Sequence, residues 1–317
     1  MSTMLTSTFK SRDGIHDICY RVWFPEGDPR GIVQIAHGMS EYVMRYKGFA
    51  EFLAENGFIV CGNDHLGHGD SVRDDSELGY FAEKNGWETV VKDMHSLTLI
   101  MRRNYPSLPY FLFGHSMGSF LARAYTTWFG RELDGAIYCG TAGPLTLAEL
   151  PMLAVDAAKK KNGEKYRSKT LNKISFGKYN SRIDDPRTEF DWLTRDDDIV
   201  DAYINDPKCG FVFTVNGFEN LLKMLWFISQ PRWFSTVRKD LPIMLIAGDA
   251  DPVGNYGEGV KQVFNKLISY SCAARIRLYE GARHELLNEL CKEEVCEDIM
   301  QFLDTYTAKR PEERTAE

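Results

Sequence analysis

The sequence predicts an α/β fold with a mostly parallel central sheet, helices on both faces and a helical insertion. Short β-branched runs alternate with longer segments whose apolar residues recur at helical spacing. The alternation stops between residues 143 and 232 and resumes with an apolar run at residue 241. Strand, helix and strand in this order imply parallel strands joined by right-handed crossovers, so helices cover both faces of the sheet.

The predicted elements follow in order along the chain. Two early segments, residues 7–14 and 16–27, are typical of an antiparallel hairpin at the edge of the sheet. The β-branched and apolar runs predict strands within residues 31–38, 58–64, 109–116, 135–143, 241–252 and 274–284. The periodic runs predict helices within residues 46–57, 85–106, 119–130 and 256–270, and a last helix around residues 295–306.

The gap in the pattern divides the chain into three predicted parts. Residues 1–142 and 233–317 are expected to form the two halves of the α/β core. Residues 143–232 are expected to form a mostly helical insertion. Its segment 217–228, GFENLLKMLWFI, is apolar on more than one face and therefore needs two burial partners. One partner is the core below it, and the other is either more protein or an acyl chain.

Composition and charge exclude several classes of protein. A chain of 317 residues with 44% hydrophobic residues can bury a large core. Its net charge of -7 is unsuited to nucleic acid, so no such partner is expected. The amino terminus lacks the apolar core of a signal peptide, and no segment approaches the roughly 20 apolar residues of a bilayer span, which favours the cytoplasm. The seven scattered cysteines are expected to be structural thiols and not zinc ligands.

The stretch GHSMG, residues 114–118, is the strongest chemical signal. A serine hydroxyl is a poor nucleophile unless it is presented to a base. Glycines two residues before and two residues after Ser116 allow a sharp turn between a predicted strand and a predicted helix. This context predicts that Ser116 lies at a nucleophile elbow, with the Met117 N–H aimed at a developing oxyanion.

A second oxyanion donor is expected from the loop that follows an earlier strand. The stretch IAHGM, residues 35–39, makes the backbone N–H of Met39 the candidate. The side chain of His37 is interpreted as a structural loop histidine.

A base and an acid should follow the serine in the order Ser, Asp or Glu, His. Among the seven histidines, His284 alone follows Ser116, and it comes just after a predicted strand. The acid should come after the strand before that, where Asp249 and Asp251 stand two residues apart. Residue chemistry does not separate these two aspartates.

Five motifs together resemble the monoacylglycerol lipase and lysophospholipase branch of the α/β-hydrolase superfamily, which includes serine aminopeptidase-like hydrolases of bacteria. They are HGMSEYVMRY, NDHLGHGDS, GHSMGS, GDADPV and RHELLNE, in that order. The resemblance implies Ser116 as nucleophile, His284 as base and Asp251, the aspartate of a Gly-x-x-Asp pattern, as the third member. It implies no metal and no organic cofactor.

The same resemblance gives expectations for the surrounding residues. Glu41 and Arg45 are expected to form a buried ion pair, and His65 and His68 to shape a loop. Residues 143–232 are expected to form a cap over the site. Four apolar residues of this insertion are expected to contact the substrate: Phe211, Phe213, Phe218 and Leu222.

The expected activity is hydrolysis of carboxylic esters of single-chain lipids, such as monoacylglycerols or lysophospholipids, through an acyl-enzyme. Transient contact of the cap with a membrane surface is part of this hypothesis. One alternative is an esterase, thioesterase or peptidase for small soluble substrates on the same triad. A more distant alternative is a binding module without activity. Dehalogenases and epoxide hydrolases are disfavoured because they carry aspartate at the elbow.

Overall fold

An eight-stranded sheet runs through residues 3–145 and 149–307, the parts of the chain that a computed structural model describes. The strands are β1 Thr3–Lys10, β2 Asp17–Phe24, β3 Gly31–Ala36, β4 Phe58–Asn63, β5 Tyr110–His115, β6 Gly135–Cys139, β7 Ile243–Gly248 and β8 Ala274–Tyr279. Their spatial order is β1-β2-β4-β3-β5-β6-β7-β8. Only β1 with β2 and β2 with β4 pair antiparallel. The mostly parallel sheet and its edge hairpin are therefore as predicted.

Helices cover both faces of this sheet. In the described ranges they are α1 Lys47–Glu55, α2 Gly86–Asn104, α3 Met117–Phe129, α4 Glu149–Asn162, α5 Lys169–Phe176, α6 Asp197–Asn205, α7 Val215–Ser229, α8 Pro231–Thr236, α9 Glu258–Ser269 and α10 Lys292–Thr307. Side chains of α1 and α10 pack on one face, and those of α2, α3, α7 and α9 pack on the other. None of these helices combines the length and the apolar character needed to cross a bilayer.

Both faces of the central strands are buried. In β5, Tyr110 and Leu112 join the cluster under α2 and α3, whereas Phe111 and Phe113 join the cluster under α1 and α10. A strand buried on both sides is a continuous apolar run and not an alternating one. This explains why the run before Ser116 is uniformly apolar.

The chain between β6 and β7 carries α4 to α8 and, over its described residues, no strand of the sheet. Helix α7 lies between α2 and α3 on one side and α4 on the other, so protein supplies both of its burial partners. The predicted boundary at residue 232 falls inside α8, whose Trp233 and Phe234 are buried in the core. The division into core and cap remains a prediction.

Arg123, on α3, is fully buried and binds both ends of the insertion. Its Nη1 donates to the Ala142 carbonyl oxygen at 3.1 Å, just after β6, and its Nη2 donates to the Ile228 carbonyl oxygen at 2.9 Å, near the end of α7. Its guanidinium also lies 4.7 Å from the centre of the Trp233 ring. Burial lowers the pKa of Arg123 to about 10, so the group stays charged at neutral pH.

Asn216 fastens the start of α7 to the core. Its Oδ1 accepts the Phe81 N–H at 3.1 Å, and its Nδ2 donates to the Ala82 carbonyl oxygen at 3.0 Å. All three residues are buried, so water cannot replace these bonds.

We expect Asn216→Leu to lower the free energy of unfolding by about 2 to 4 kcal/mol, because two buried backbone groups lose their partners. Asn205→Leu is the matched control, since Asn205 is exposed and its side chain bonds only to the carbonyl oxygen of Asp201 within its own helix. Urea unfolding of both variants measures the difference. Equal losses would contradict the role assigned to Asn216.

Candidate active site

Ser116 lies in a tight turn between β5 and α3. Its φ of 52° and ψ of -121° are outside the regular helix and strand regions. A Cβ at Gly114 would lie 2.3 Å from the Gly118 carbonyl oxygen, and a Cβ at Gly118 would lie 2.0 Å from the Ala36 carbonyl oxygen. No side chain fits at either glycine. The two glycines therefore allow strand, turn and helix to cross at backbone contact, which is the geometry of a nucleophile elbow.

The structure brings Asp251, and not Asp249, to His284. The distance from His284 Nδ1 to Asp251 Oδ2 is 3.0 Å, and both side chains are buried. The other oxygen of Asp251 accepts the Val253 N–H at 2.8 Å. Asp249 is exposed, and its Oδ1 accepts the Gly281 N–H at 2.7 Å, which is a turn contact. The two aspartates are chemically identical, but they differ in burial and in the direction in which the side chain points.

The imidazole of His284 lies beside the elbow. Its ring centre is 4.7 Å from that of His115, the residue just before Ser116. A Cβ at Gly140, after β6, would lie 3.1 Å from His284 Cε1, so the ring packs directly on that backbone. On the side of the insertion, the ring centre of Trp192 lies 5.1 Å away.

The charge state of His284 depends on its neighbours. Burial alone would lower the pKa of His284, but the charge and the hydrogen bond of Asp251 raise it above the ordinary value, with smaller contributions from Glu285 and Glu41. Because Asp251 only accepts, Nδ1 carries the proton in the neutral ring. The other nitrogen, Nε2, is then free to take up a proton.

The loop after β3 lies against the serine. A Cβ at Gly38 would be 3.2 Å from Ser116 Cβ. Throughout the described residues, the backbone N–H groups of Met39 and Met117 donate to no protein acceptor. An oxyanion site needs two unpaired N–H groups near the serine, and here Met117 adjoins Ser116 in the chain while Met39 follows Gly38.

Three buried histidines lie under this loop. His37, His65 and His68 are fully buried, and the ring centres of His37 and His65 are 4.0 Å apart. Burial lowers the pKa of His65 to about 3 and that of His68 to about 4, and it lowers the pKa of His37 well below its ordinary value. All three rings are therefore neutral. Their hydrogen bonds go mainly to the backbone, which fits the predicted loop-shaping role.

One cluster of potential metal ligands occurs in the described part of the chain, formed by Cys19, Asp64 and Asp70. Arg21 binds both carboxylates, and Lys208 binds Asp70. Burial raises the pKa of the Cys19 thiol to about 11, which keeps it protonated. The cluster is therefore a set of ion pairs next to a neutral thiol.

The predicted Glu41–Arg45 ion pair forms, and it includes a third member. Arg45 Nη1 lies 2.8 Å from Glu41 Oε2, and Arg45 donates two bonds to Glu285, at 2.6 and 2.8 Å. Glu41 also accepts the N–H of Gly38. Burial alone would raise the pKa of Glu285, but Arg45 lowers it to about 2. One guanidinium thus joins the loop after β3 to the residue that follows His284.

The four apolar residues predicted to contact substrate do not share one environment. Phe213 and Phe218 are 0% and 2% exposed, and their ring centres are 6.1 Å apart. Phe211 and Leu222 are partly buried. Phe211 and Phe213 both lie within 5.5 Å of the His68 ring, measured between ring centres. These ring contacts join the segment just before α7 to the loop after β4, which carries His68.

Sequence reasoning missed Glu285 and Trp192. The backbone N–H of Glu285 donates to the Leu193 carbonyl oxygen at 2.7 Å, so the segment carrying Trp192 is bonded to the segment carrying His284. For Glu285, the available signal was a charged residue next to His284, since a guanidinium such as that of Arg45 can bind two carboxylates. No local sequence pattern indicates the contact between the rings of Trp192 and His284.

The fold and the site define an α/β-hydrolase with a serine at the elbow and a buried His–Asp pair beside it. The family described as "Serine aminopeptidase, S33" matches residues 27–291, and the chain belongs to this family of hydrolases. The match spans strands β3 to β8, the insertion and His284. With this fold and this family, the chain is an enzyme of the ester-hydrolase class.

Individual relatives match over nearly the whole chain. A monoacylglycerol lipase of Mycolicibacterium smegmatis is 28% identical, covering 95% of this chain and 98% of its own. A monoglyceride lipase of Rattus norvegicus is also 28% identical, covering 94% of this chain and 88% of its own. The crystal structure of a thermostable carboxyl esterase from Bacillus coagulans, in complex with glycerol, has a TM-score of 0.90 and 34% identity, covering 97% of this chain and 100% of its own.

We expect Arg45→Met to lower the free energy of unfolding by about 3 to 5 kcal/mol near pH 8, because it leaves the buried carboxylates of Glu41 and Glu285 without their cation. In the variant the pKa of these carboxyls rises above its unfolded value, so the folded state binds more protons than the unfolded state. Stability then falls as pH rises, and the loss is smaller near pH 5.

Lys47→Met is the control for this experiment. Lys47 forms an exposed pair with Glu51, with 3.7 Å between Nζ and Oε1, and such pairs contribute at most about 1 kcal/mol. Urea unfolding at both pH values measures the two variants. A loss for Arg45→Met that matched the control, or that grew towards acid pH, would contradict the role assigned to the ion triad.

Proposed function

We propose that this protein hydrolyses carboxylic esters of single-chain lipids, monoacylglycerols or lysophospholipids, through a covalent acyl-enzyme. One observation carries the proposal: the buried His284–Asp251 pair, with 3.0 Å between Nδ1 and Oδ2, lies beside the elbow that holds Ser116. Such an arrangement activates a serine hydroxyl for attack on an acyl carbon.

In the proposed reaction, Ser116 Oγ attacks the ester carbonyl while His284 Nε2 accepts its proton. Asp251 holds the Nδ1–H tautomer and stabilises the charged ring. The N–H groups of Met39 and Met117 donate to the oxyanion. His284 then returns the proton to the leaving alcohol, and a water molecule deprotonated by the same nitrogen hydrolyses the acyl-enzyme.

Apolar side chains of the insertion that are left only partly buried by protein support a lipid substrate. Phe211 and Leu222, both partly buried, are proposed to contact the acyl chain, with Phe213 and Phe218 forming the wall behind them. The monoacylglycerol and monoglyceride lipases among the relatives favour the same substrate class.

Exposed apolar side chains on the insertion favour transient contact with a lipid surface. Leu150 and Leu153 on α4 are 72% and 63% exposed, and Ile174 on α5 is 69% exposed. Large exposed aliphatic side chains of this kind suit an interface with lipid. We propose the cytoplasm as the place of action because all seven cysteines are free thiols, as is usual in a reducing compartment.

We expect Asp251→Asn to reduce kcat on a nitrophenyl ester by about 10⁴-fold, because an asparagine stabilises neither the required tautomer nor the charged ring of His284. Asp249→Asn is the matched control, because this nearby carboxylate contacts a turn and not the histidine. Steady-state hydrolysis of nitrophenyl butyrate measures both variants. A larger loss in Asp249→Asn would refute the assignment of the acid.

Ser116→Ala is measured together with the two aspartate variants. It is expected to abolish both turnover and labelling by a fluorophosphonate probe. Undiminished turnover in that variant would rule out Ser116 as the nucleophile. A wild-type protein that neither turned over nor reacted with the probe would favour a binding module of the same fold.

We expect kcat/KM to rise with acyl length, from acetyl to octanoyl and longer monoacyl esters, because each buried methylene adds about 0.8 kcal/mol of transfer free energy. Monoacylglycerols and lysophosphatidylcholines of matched chain length, below their critical micelle concentrations, provide the comparison. A preference for acetyl esters would instead favour the small-substrate esterase, thioesterase or peptidase.

A further inference from the structure

The peptide between Gly38 and Met39 is held on its carbonyl side by a side chain. His37 Nδ1 lies 2.8 Å from the carbonyl oxygen of Gly38. The other ring nitrogen, Nε2, lies 2.9 Å from the backbone nitrogen of His65. Both contacts are fully buried, so water does not compete with them.

These two partners determine where the proton of the ring lies. A backbone N–H can only donate, so His37 Nε2 must accept the bond from His65 and carry no hydrogen. A carbonyl oxygen can only accept, so Nδ1 must carry the hydrogen and donate it to Gly38. The ring is therefore the neutral Nδ1–H tautomer. If Nε2 also carried a proton, its N–H would face the backbone N–H of His65, and neither group could accept the hydrogen bond.

His65 holds this ring in place from a second direction. Its Nε2 lies 3.2 Å from the His37 carbonyl oxygen, and the centres of the two rings are 4.0 Å apart with their planes tilted by 32°. The loop that carries His65 follows β4, next to β3 in the sheet. Neighbouring parallel strands thus position the ring against the peptide it binds.

The orientation of a carbonyl fixes the N–H on the other side of the same peptide. In a trans peptide plane the Gly38 C=O and the Met39 N–H point in opposite directions. With the carbonyl turned towards the His37 ring, the N–H of Met39 is turned away from the histidine cluster. Ser116 lies close to this peptide, because a Cβ at Gly38 would be 3.2 Å from Ser116 Cβ.

We propose that His37 is a positioning residue whose Nδ1–H holds the Gly38–Met39 peptide with the Met39 N–H directed to the space beside Ser116. The inference rests on the proposed ester hydrolysis, in which that N–H binds the oxyanion. Without the hydrogen bond from His37, rotation of this one peptide would turn a carbonyl oxygen towards the oxyanion and remove a donor.

A pair of variants tests the hydrogen bond separately from the loss of the ring. Asparagine and leucine have nearly the same size and shape, but only asparagine has an N–H close to the position of Nδ1. We expect kcat for nitrophenyl butyrate to be about 100-fold lower in His37→Leu than in His37→Asn, because loss of one oxyanion donor reduces kcat by about 10² to 10³. KM should differ little between the two. Equal kcat values would overturn the proposal.

His68→Asn and His68→Leu form the matched control pair. His68 belongs to the same buried cluster, but its Nδ1 bonds to the Leu66 carbonyl oxygen, 3.2 Å away, and not to the oxyanion loop. The ratio of kcat between its two variants is expected to stay near 1. A ratio as large as that at residue 37 would mean that any polar group in the cluster suffices, which would also overturn the proposal.

A second measurement needs no substitution and no activity. Long-range ¹H–¹⁵N correlation spectra of the wild-type protein distinguish the two neutral tautomers of histidine. At pH 7 the His37 ring is expected to carry its proton on Nδ1, and an Nε2–H or doubly protonated ring would overturn the proposal. Because these spectra report the tautomer of the ring and not turnover, they separate failure of this inference from failure of the proposed hydrolysis.

Discussion

The close approach of α3 to the end of β3 organises the candidate site. A Cβ at Gly118 would lie 2.0 Å from the Ala36 carbonyl oxygen and 2.5 Å from that of His37. Only a residue without a side chain allows this contact, and it brings the first turn of the helix, Ser116 and the loop after β3 into one small volume. The two N–H groups proposed to bind an oxyanion come from the two partners in this contact. Backbone packing therefore sets the distance between the two chain segments, and the His37 ring is proposed to set the direction of the Met39 N–H.

Local sequence patterns predict those features of this protein that are determined by residues close together in the chain. The elbow is visible because five consecutive residues, 114–118, run from the end of a buried strand into the start of a helix. His284 follows from chain order, because the other six histidines precede Ser116. Asp249 and Asp251 have the same chemistry and almost the same position in the sequence. Only burial and direction in the folded chain distinguish them, and neither property is a feature of local sequence.

The contacts that sequence reasoning missed span long stretches of chain. Arg45 reaches Glu285 across 240 residues, and the segment with Trp192 pairs with the segment after β8. The arginine joins the loop beside the serine to the loop that carries the histidine. Two of the loops proposed to carry catalytic groups are thereby held relative to each other by one buried cation, whose cost of desolvation is offset by two carboxylates. Patterns such as periodicity and turn signals contain no information on such pairings.

Arg123 restricts how the insertion can move relative to the core. Its guanidinium binds the backbone at Ala142 and at Ile228, the two stems through which the insertion joins the core. An insertion bound at both stems cannot swing as a rigid body about a single pivot. Its movement is therefore restricted to the residues between the two stems, which include α4 to α6. These helices also carry three highly exposed aliphatic side chains, Leu150, Leu153 and Ile174, which are the ones proposed to contact a lipid surface.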